Sequence, residues 1–485
     1  MLTLSGAAEM EEKKQEQIMW AATGFAADNI DFPSMALGYG DETYPNGSVT
    51  TTRRLALIFA GNYYYDMRYF VDINFNANGA SSFGEDSRWG KFFSFGLGWN
   101  VSNEDFFIEH VPYIQWLKLK ASYGVSGNMG FSPENAMTVY SLNTQANYLS
   151  HFGAYLTSFG NTELKWQNTY QWNFGIELKT LHERLGLEFS YYRKMTDNTV
   201  ADVFLPISHG FNTYKANVGS ILNKGWDVKV TVDLFKNMDR GFTWNIMGSF
   251  NGNKNIVDKL SDGFKYTLSH NVTNMSSQEA VLKYREGHSM NAIYGLRTVG
   301  VDPQTGNRLF LDKNGNVTFA QNAEDMVYLG DSQPKVQGNI STNIAYKGFI
   351  LTVGFGVRWG AKQFNATLAN KTENTHFINN LDRRVLTQSW QEPGDVVPYK
   401  KLDINNTSSN TNVCDAFVQE DNVFQCTNIN LTYNFSDDIC KKLRLKGLSL
   451  NANLSDIFYI SSIKRERGTS YPFSRNPNFS VSVSF

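Results

Sequence analysis

The feature that most constrains this chain is a two-residue alternation of apolar and small polar side chains, repeated along its length. At the C-terminus, Phe479, Val481, Val483 and Phe485 alternate with Ser480, Ser482 and Ser484. The same beat runs through Leu351–Val357, Ile429–Phe435 and Leu448–Leu454, and earlier through Tyr69–Asn76, Leu117–Tyr123, Trp172–Leu178 and Trp226–Leu234. Successive side chains of a strand point to opposite faces, so each segment predicts a strand with one apolar and one polar face.

The polar face carries Asn, Ser, Thr, Gly and Lys, and many segments have Tyr, Phe or Trp near an end. Apolar-out, polar-in alternation with aromatics at strand ends is the pattern of a transmembrane β-barrel. A closed barrel satisfies every backbone polar group and leaves no edge. The expected fold is all-β, an antiparallel outer-membrane barrel portion over 1–485, with about 14 strands. Their expected spans are Glu16–Ala27, Arg54–Tyr63, Met67–Ala77, Lys91–Val101, Gln115–Tyr123, Tyr170–Lys179, Arg184–Lys194, Gly225–Phe235, Gly241–Asn251, Val336–Tyr346, Gly348–Arg358, Val423–Asn434, Arg444–Ser455 and Pro477–Phe485.

The connections supply a second, independent pattern. Tight turns at Tyr64–Asp66, Thr180–Glu183, Lys236–Arg240 and Lys347 alternate with long loops at Gly124–Thr169, Met195–Lys224, Gly252–Lys335, Trp359–Asn422 and Asp456–Asn476. Outer-membrane barrels place short turns on the periplasmic side and long loops outside. A soluble sandwich has no reason to gather its long loops on one side.

Composition agrees and excludes some classes. There are 35 Phe, 24 Tyr, 10 Trp and 39 Gly against only 11 Pro, which suits crowded strands. A formal charge of -2 excludes a strongly basic nucleic-acid binder. Met1–Ala8 is too short for a signal peptide and is followed by the charged run Glu9–Glu16, so the start of an exported protein is expected upstream. Three cysteines, Cys414, Cys426 and Cys440, match no zinc spacing; Cys414 and Cys426 pair in an exposed loop, or all three are free thiols.

Several segments carry a family resemblance. Leu117-Lys118-Leu119-Lys120-Ala121-Ser122-Tyr123-Gly124-Val125-Ser126-Gly127-Asn128 is followed by Asn161-Thr162-Glu163-Leu164-Lys165-Trp166. Around them lie Asn78–Gly84 with Arg88-Trp89-Gly90, then Asn217-Val218-Gly219-Ser220 with Asn223-Lys224-Gly225, and Trp390–Asp395. In type, order and spacing these resemble the SusC/RagA family of TonB-linked outer-membrane proteins of Bacteroidetes. Asn78 stands where the family has Asp, and Thr162 where it has Pro. The resemblance implies a barrel of 22 strands behind a plug domain and a TonB box, of which this chain holds the C-terminal part without the plug. It also implies a SusD-like lipoprotein partner, energy from TonB and a glycan oligomer or peptide as substrate.

No catalytic set is visible: the sequence has no HExxH, GxSxG or GxxxxGK[ST]. The pairs Glu104-Asp105 and Asp437-Asp438 fall at expected periplasmic turns, as solvated charges. Binding candidates are loop aromatics that would stack on a ligand: Tyr148, Phe152, Trp166, Tyr294, Trp359, Phe364, Trp390 and Tyr399. Taken singly, each is more often a packing or interfacial residue. Glu324, Asp325 and Asp331 are the candidates for a calcium site in the outer loops, though their spacing does not demand one; no other cofactor is expected. Phe479, Val481, Val483 and Phe485 form the expected signal to the barrel assembly machinery, by strand pairing. Gln337, Asn339, Ser341 and Asn343, with Thr352, are expected on the lumenal face.

The sequence thus predicts the barrel part of a TonB-dependent nutrient importer, in contact with outer-membrane lipid. Two rivals remain open: a free-standing passive channel of about 14 strands, and a β-rich surface glycan-binding protein or adhesin.

Overall fold

The computed structural model describes residues 1–485 apart from 20, 26–31, 33–34, 40–45, 85–86, 133–134, 150, 206–212, 238–240, 271–283, 376–377, 379, 403–409 and 465–473. One antiparallel sheet of 14 strands dominates it, every strand hydrogen-bonded to its neighbours in sequence. They are β1 (Leu2–Met19), β2 (Asn46–Tyr65), β3 (Tyr69–Ala80), β4 (Trp89–Asn100), β5 (Ile114–Asn128), β6 (Gln167–Thr180) and β7 (Leu185–Phe204). The second half is β8 (Thr213–Asn237), β9 (Phe242–Leu260), β10 (Val336–Tyr346), β11 (Phe349–Phe364), β12 (Val418–Asn434), β13 (Gly447–Ser461) and β14 (Pro477–Ser484).

The period-two pattern is what makes this a two-sided wall. Across the register, Ile73 faces Phe95, Phe95 faces Tyr123 and Tyr123 faces Trp172. Phe75, Phe93, Phe95, Leu97, Trp172, Phe174, Ile176, Phe349, Leu431 and Leu450 are all large, apolar and exposed. Such a band would be a liability in water and is the normal lipid face of a barrel. The short turns carry left-handed residues that match the twist of paired strands: Asp66 and Met67, Leu181 to Glu183, and Lys347 with Gly348. Among the described residues no helix is long and apolar enough to cross a membrane, which is silent on barrels.

Two expectations about the strands are corrected. The first strand is Leu2–Met19, not Glu16–Ala27. The run Glu9–Glu16 belongs to its upper half, where Arg54 pairs with Glu9 at 2.9 Å and Arg53 with Glu12 at 2.8 Å on β2. The stretch Met195–Lys224 is not a long loop, because β7 and β8 run on as a paired ribbon to Phe204 and Thr213. A register irregularity between Thr196 and Val200 breaks the alternation there, and Val203 and Val218 are buried against Phe264 from the next connection, so a two-residue beat does not mark these upper halves.

The sheet is not closed. Among the described residues β1 pairs only with β2, and β14 only with β13. Every residue of β1 and of β14 is exposed. The described residues thus form an open wall, without the closure that a free-standing passive channel of 14 strands would need.

Candidate functional site

The inner face of the wall is a field of amides and hydroxyls. Asn74 donates to Ser94 at 3.2 Å, Asn173 to Ser122 at 3.1 Å, and Gln171 to Asn173 at 2.7 Å. Further round, Asn343 donates to Asn245 at 3.0 Å and Thr352 to Asn343 at 2.7 Å, while Asn451 bridges Asn430 and Thr432 at 2.9 and 2.8 Å. Two hollows open on this face. One, of about 430 Å³, is lined by Asn74, Asn76, Ser94, Ser122, Gln171 and Asn173 among others. The other, of about 500 Å³, includes Asn251, Gln337, Asn339, Arg358 and Gln425. The lumenal assignment of Gln337, Asn339, Asn343 and Thr352 thus holds. Nearer the periplasmic turns the same face carries ion pairs, Lys120 with Glu177 and Lys229 with Glu188 at 3.0 Å. Short neutral donors and acceptors suit a hydrated polar solute with many hydrogen-bonding groups and no fixed charge pattern.

Above the wall, the two longest connections fold into one cap. Ala292–Gly295 pairs with Val327–Asp331, and Arg297–Val301, Arg308–Leu311 and Val317–Thr318 form a small sheet. Two short helices, Ala366–Thr372 and Arg383–Gln388, come from the connection after β11. A shared core of Ala292, Tyr294, Leu296, Phe310, Met326, Ala369, Cys414 and Phe417 joins them. The cap is tied to the wall where the Lys362 ammonium donates to the Leu329 carbonyl at 3.0 Å and the Val257 N–H donates to the His288 carbonyl at 2.9 Å.

At the centre of the cap lies a buried ion pair. Glu373 accepts from Arg308 Nε at 2.9 and 3.1 Å, from the Thr411 hydroxyl at 2.6 Å and from the Lys400 N–H at 3.1 Å. Arg308 also donates to the Pro398 carbonyl at 2.6 Å and lies over the Phe417 ring. No sequence signal marks these residues, which sit in separate loops. At its margin, donation from Arg384 holds the Asp382 carboxyl down at about 2, where it also caps the Arg383–Gln388 helix.

The loop aromatics divide three ways. Tyr294 is fully buried in the cap core, and Phe364 and Tyr399 pack against it. Trp390 is half-buried, donating its indole N–H to the Pro303 carbonyl at 2.8 Å. Trp166 is buried, stacked 4.4 Å from Phe83, and donates to the Ser87 carbonyl at 2.9 Å. Tyr294 and Trp166 are thus packing residues rather than open ligand platforms, because folded loops need cores of their own, while Phe364, Trp390 and Tyr399 are partly buried at the cap. Trp359, 60% exposed, sits on the outward face at the top of β11, as a girdle residue would. Tyr148 and Phe152 fall on the paired segments Val139–Tyr148 and His151–Ser158, and their side chains lie outside the described residues.

The segments that carry the sequence resemblance meet in space. Gly84 packs on the Thr162 carbonyl, and a Cβ on Gly127 would lie 2.0 Å from the Phe92 ring. Asn217 accepts from the Lys165 N–H at 3.0 Å and donates to the Asn198 carbonyl at 2.8 Å, while Asn161 donates to the Lys215 carbonyl at 2.9 Å. Those motifs therefore knit neighbouring outer loops together around Ala80, Phe83, Phe92 and Trp166.

Three further expectations concern the loops and turns. Cys414, Cys426 and Cys440 are free and buried, so Cys414 and Cys426 form no disulfide. Burial pushes the Cys414 thiol up to about 12. Asp325 is taken up by the Lys313 N–H and the Asn322 amide, Glu324 lies near Lys313, and among the described residues no cluster of His, Cys, Asp and Glu is set to hold a metal. Glu104 is not a solvated turn charge. It is buried at the periplasmic rim beside α1 (Asp105–His110), where it accepts from Tyr69, Trp99 and Arg68.

Comparison with known proteins places this geometry. The family described as TonB dependent receptor-like, beta-barrel matches residues 17–376. TonB-dependent receptor P39 of Formosa agariphila is 27% identical over 457 residues, 86% of this chain and 43% of the relative. TonB-dependent receptor SusC of Bacteroides thetaiotaomicron is 24% identical over 432 residues, 85% of this chain and 41% of the relative. The solved structure of the RagAB peptide transporter superposes with a TM-score of 0.83 at 22% identity, covering 100% of this chain and 53% of that one. The chain spans about half the length of these relatives.

Proposed function

The chain belongs to the TonB dependent receptor-like β-barrel family, and from that premise we propose that it forms most of the wall and the outer cap of an importer of peptides or glycan oligomers. Its place is the outer membrane, and it is not an enzyme. The observation that carries the substrate reading is the inner wall. A surface of Asn, Gln, Ser and Thr offers many weak, interchangeable hydrogen bonds, so a bulky hydrated oligomer can be held without being trapped. The transporter with which the chain superposes is named for peptides, which favours that half of the reading.

Energy comes from TonB, acting on parts of the importer beyond this wall, and a SusD-like lipoprotein docks on the outer loops. The barrel performs no covalent step, so its residues bind and release only. The test is uptake of labelled oligopeptides and oligosaccharides by cells making the intact protein, with and without TonB and with and without the lipoprotein. TonB-dependent uptake of one class supports the reading. Uptake that persists without TonB at the same rate would sink it. The adhesin alternative predicts surface binding without accumulation inside the cell.

A further inference from the structure

The outward face carries one feature that import does not use. Arg193 on β7 is directly opposite Lys224 on β8, and Lys224 is directly opposite Lys254 on β9. The three share the lipid-facing side and are exposed. Cross-strand partners stand only about 4.5–5.5 Å apart at Cα, and like charges so placed repel. Among the described residues none of the three has a carboxylate within ion-pair distance.

Their height on the wall is informative. β7 leaves its periplasmic turn at Leu185 and reaches Arg193 after about nine residues, the length of a membrane-crossing strand. One step toward the periplasm, the outward positions are Tyr191 and Trp226; one step away they are Met195 and Leu222. The row therefore sits at the aromatic boundary where acyl chains give way to headgroups. Lys224, Lys254, Tyr191 and Trp226 line a groove of about 440 Å³ together with Lys335. One carboxylate, Asp331, also lines it, and that group accepts from the Gln333 N–H.

We propose that this row is a binding site for the phosphate groups of an outer-leaflet lipid, whose chains lie against the apolar wall below. The membrane position chooses the source. A ligand that brings both phosphate and acyl chains meets the cations and the aromatics together, whereas free phosphate meets only the first.

The test titrates the intact protein, purified from outer membranes in mild detergent, with phosphorylated lipid A and follows binding by native mass spectrometry. A cation near an anionic membrane surface contributes about a fivefold factor in affinity, so Arg193→Gln, Lys224→Gln and Lys254→Gln together are expected to weaken binding by about 100-fold. Lys441→Gln with Lys442→Gln, at the periplasmic end, is expected to bind like the parent. Dephosphorylated lipid A and inorganic phosphate are expected to bind far more weakly. Parental affinity in the triple variant, equal binding of dephosphorylated lipid, or equal protection by inorganic phosphate would each overturn the proposal. If the triple variant does not fold, judged by heat-modifiable mobility, Lys224→Gln alone replaces it, with about a fivefold loss expected.

Discussion

Arg308 and Glu373, 65 residues apart in the chain, close the outer cap as a buried ion pair whose side chains are 4% and 0% exposed. It joins the connection after β9 to the one after β11, so two loops that sequence alone treats as independent are one folded unit.

Removing one partner leaves the other buried and uncompensated, at a cost of roughly 3–5 kcal/mol. Glu373→Ala is expected to unfold the cap while the wall stays intact. Limited proteolysis should then cut within 292–331 or 365–417 with heat-modifiable mobility unchanged. Unchanged protease resistance would show that the pair is dispensable.

A second expectation concerns Gly127, whose added Cβ would fall 2.0 Å from the Phe92 ring. Gly127→Ala overpacks the Phe83–Phe92–Trp166 cluster, for about 1–3 kcal/mol. Pairing it with Phe92→Leu should recover most of that loss. The readout is denaturant unfolding in detergent, followed through indole fluorescence.

At the periplasmic rim, hydrogen bonds from the Tyr69 hydroxyl and the Trp99 indole, with Arg68 alongside, hold the Glu104 carboxyl below its ordinary 4.5. A carboxyl depressed in the folded state stabilises fully above the unfolded value and loses that contribution as pH falls through the folded one. Stability of the rim should decline on acidification below about pH 4.5. Glu104→Gln should show a flatter profile over the same range. A parallel decline in both proteins would remove Glu104 as the cause.

The thiols give a chemical test. Cys414 is fully buried and its thiol is pushed up to about 12, so little thiolate is present at neutral pH. Native protein should resist maleimide at Cys414 and should form no Cys414–Cys426 crosslink on mild oxidation, both measured by peptide mass spectrometry. Glu373→Ala should expose Cys414 to labelling, which links this measurement to the first.

The strands were legible because lipid and lumen impose opposite demands on adjacent residues. Val336–Tyr346 falls within the same limits in sequence and structure. Legibility ended where those demands end. Above the membrane a bulge shifts the register of β7 against β8 and Val203 packs on Phe264 rather than on lipid, so Met195–Phe204 reads as loop although it is paired. The charged Glu9–Glu16 reads as a break although Arg53 and Arg54 complete it across the sheet. The inner wall was readable in Gln337 and Asn339 because alternation fixes their side. Trp166 and Tyr294 depart from expectation because exposure of a loop says nothing about the core that loop builds, and these two anchor such cores.

The open edges of β1 and β14 bear on how this wall is made. β1 presents 18 residues with one side of their backbone unpaired, and β14 presents another 8. An exposed edge of that length is a template for any passing strand, including the same edge on a second molecule. Until both margins are matched, the sheet is sticky in solution and uninsertable in lipid, where each unmet amide is costly. In the intact protein both margins must therefore be matched, to further strands or to each other, before the wall can sit in lipid.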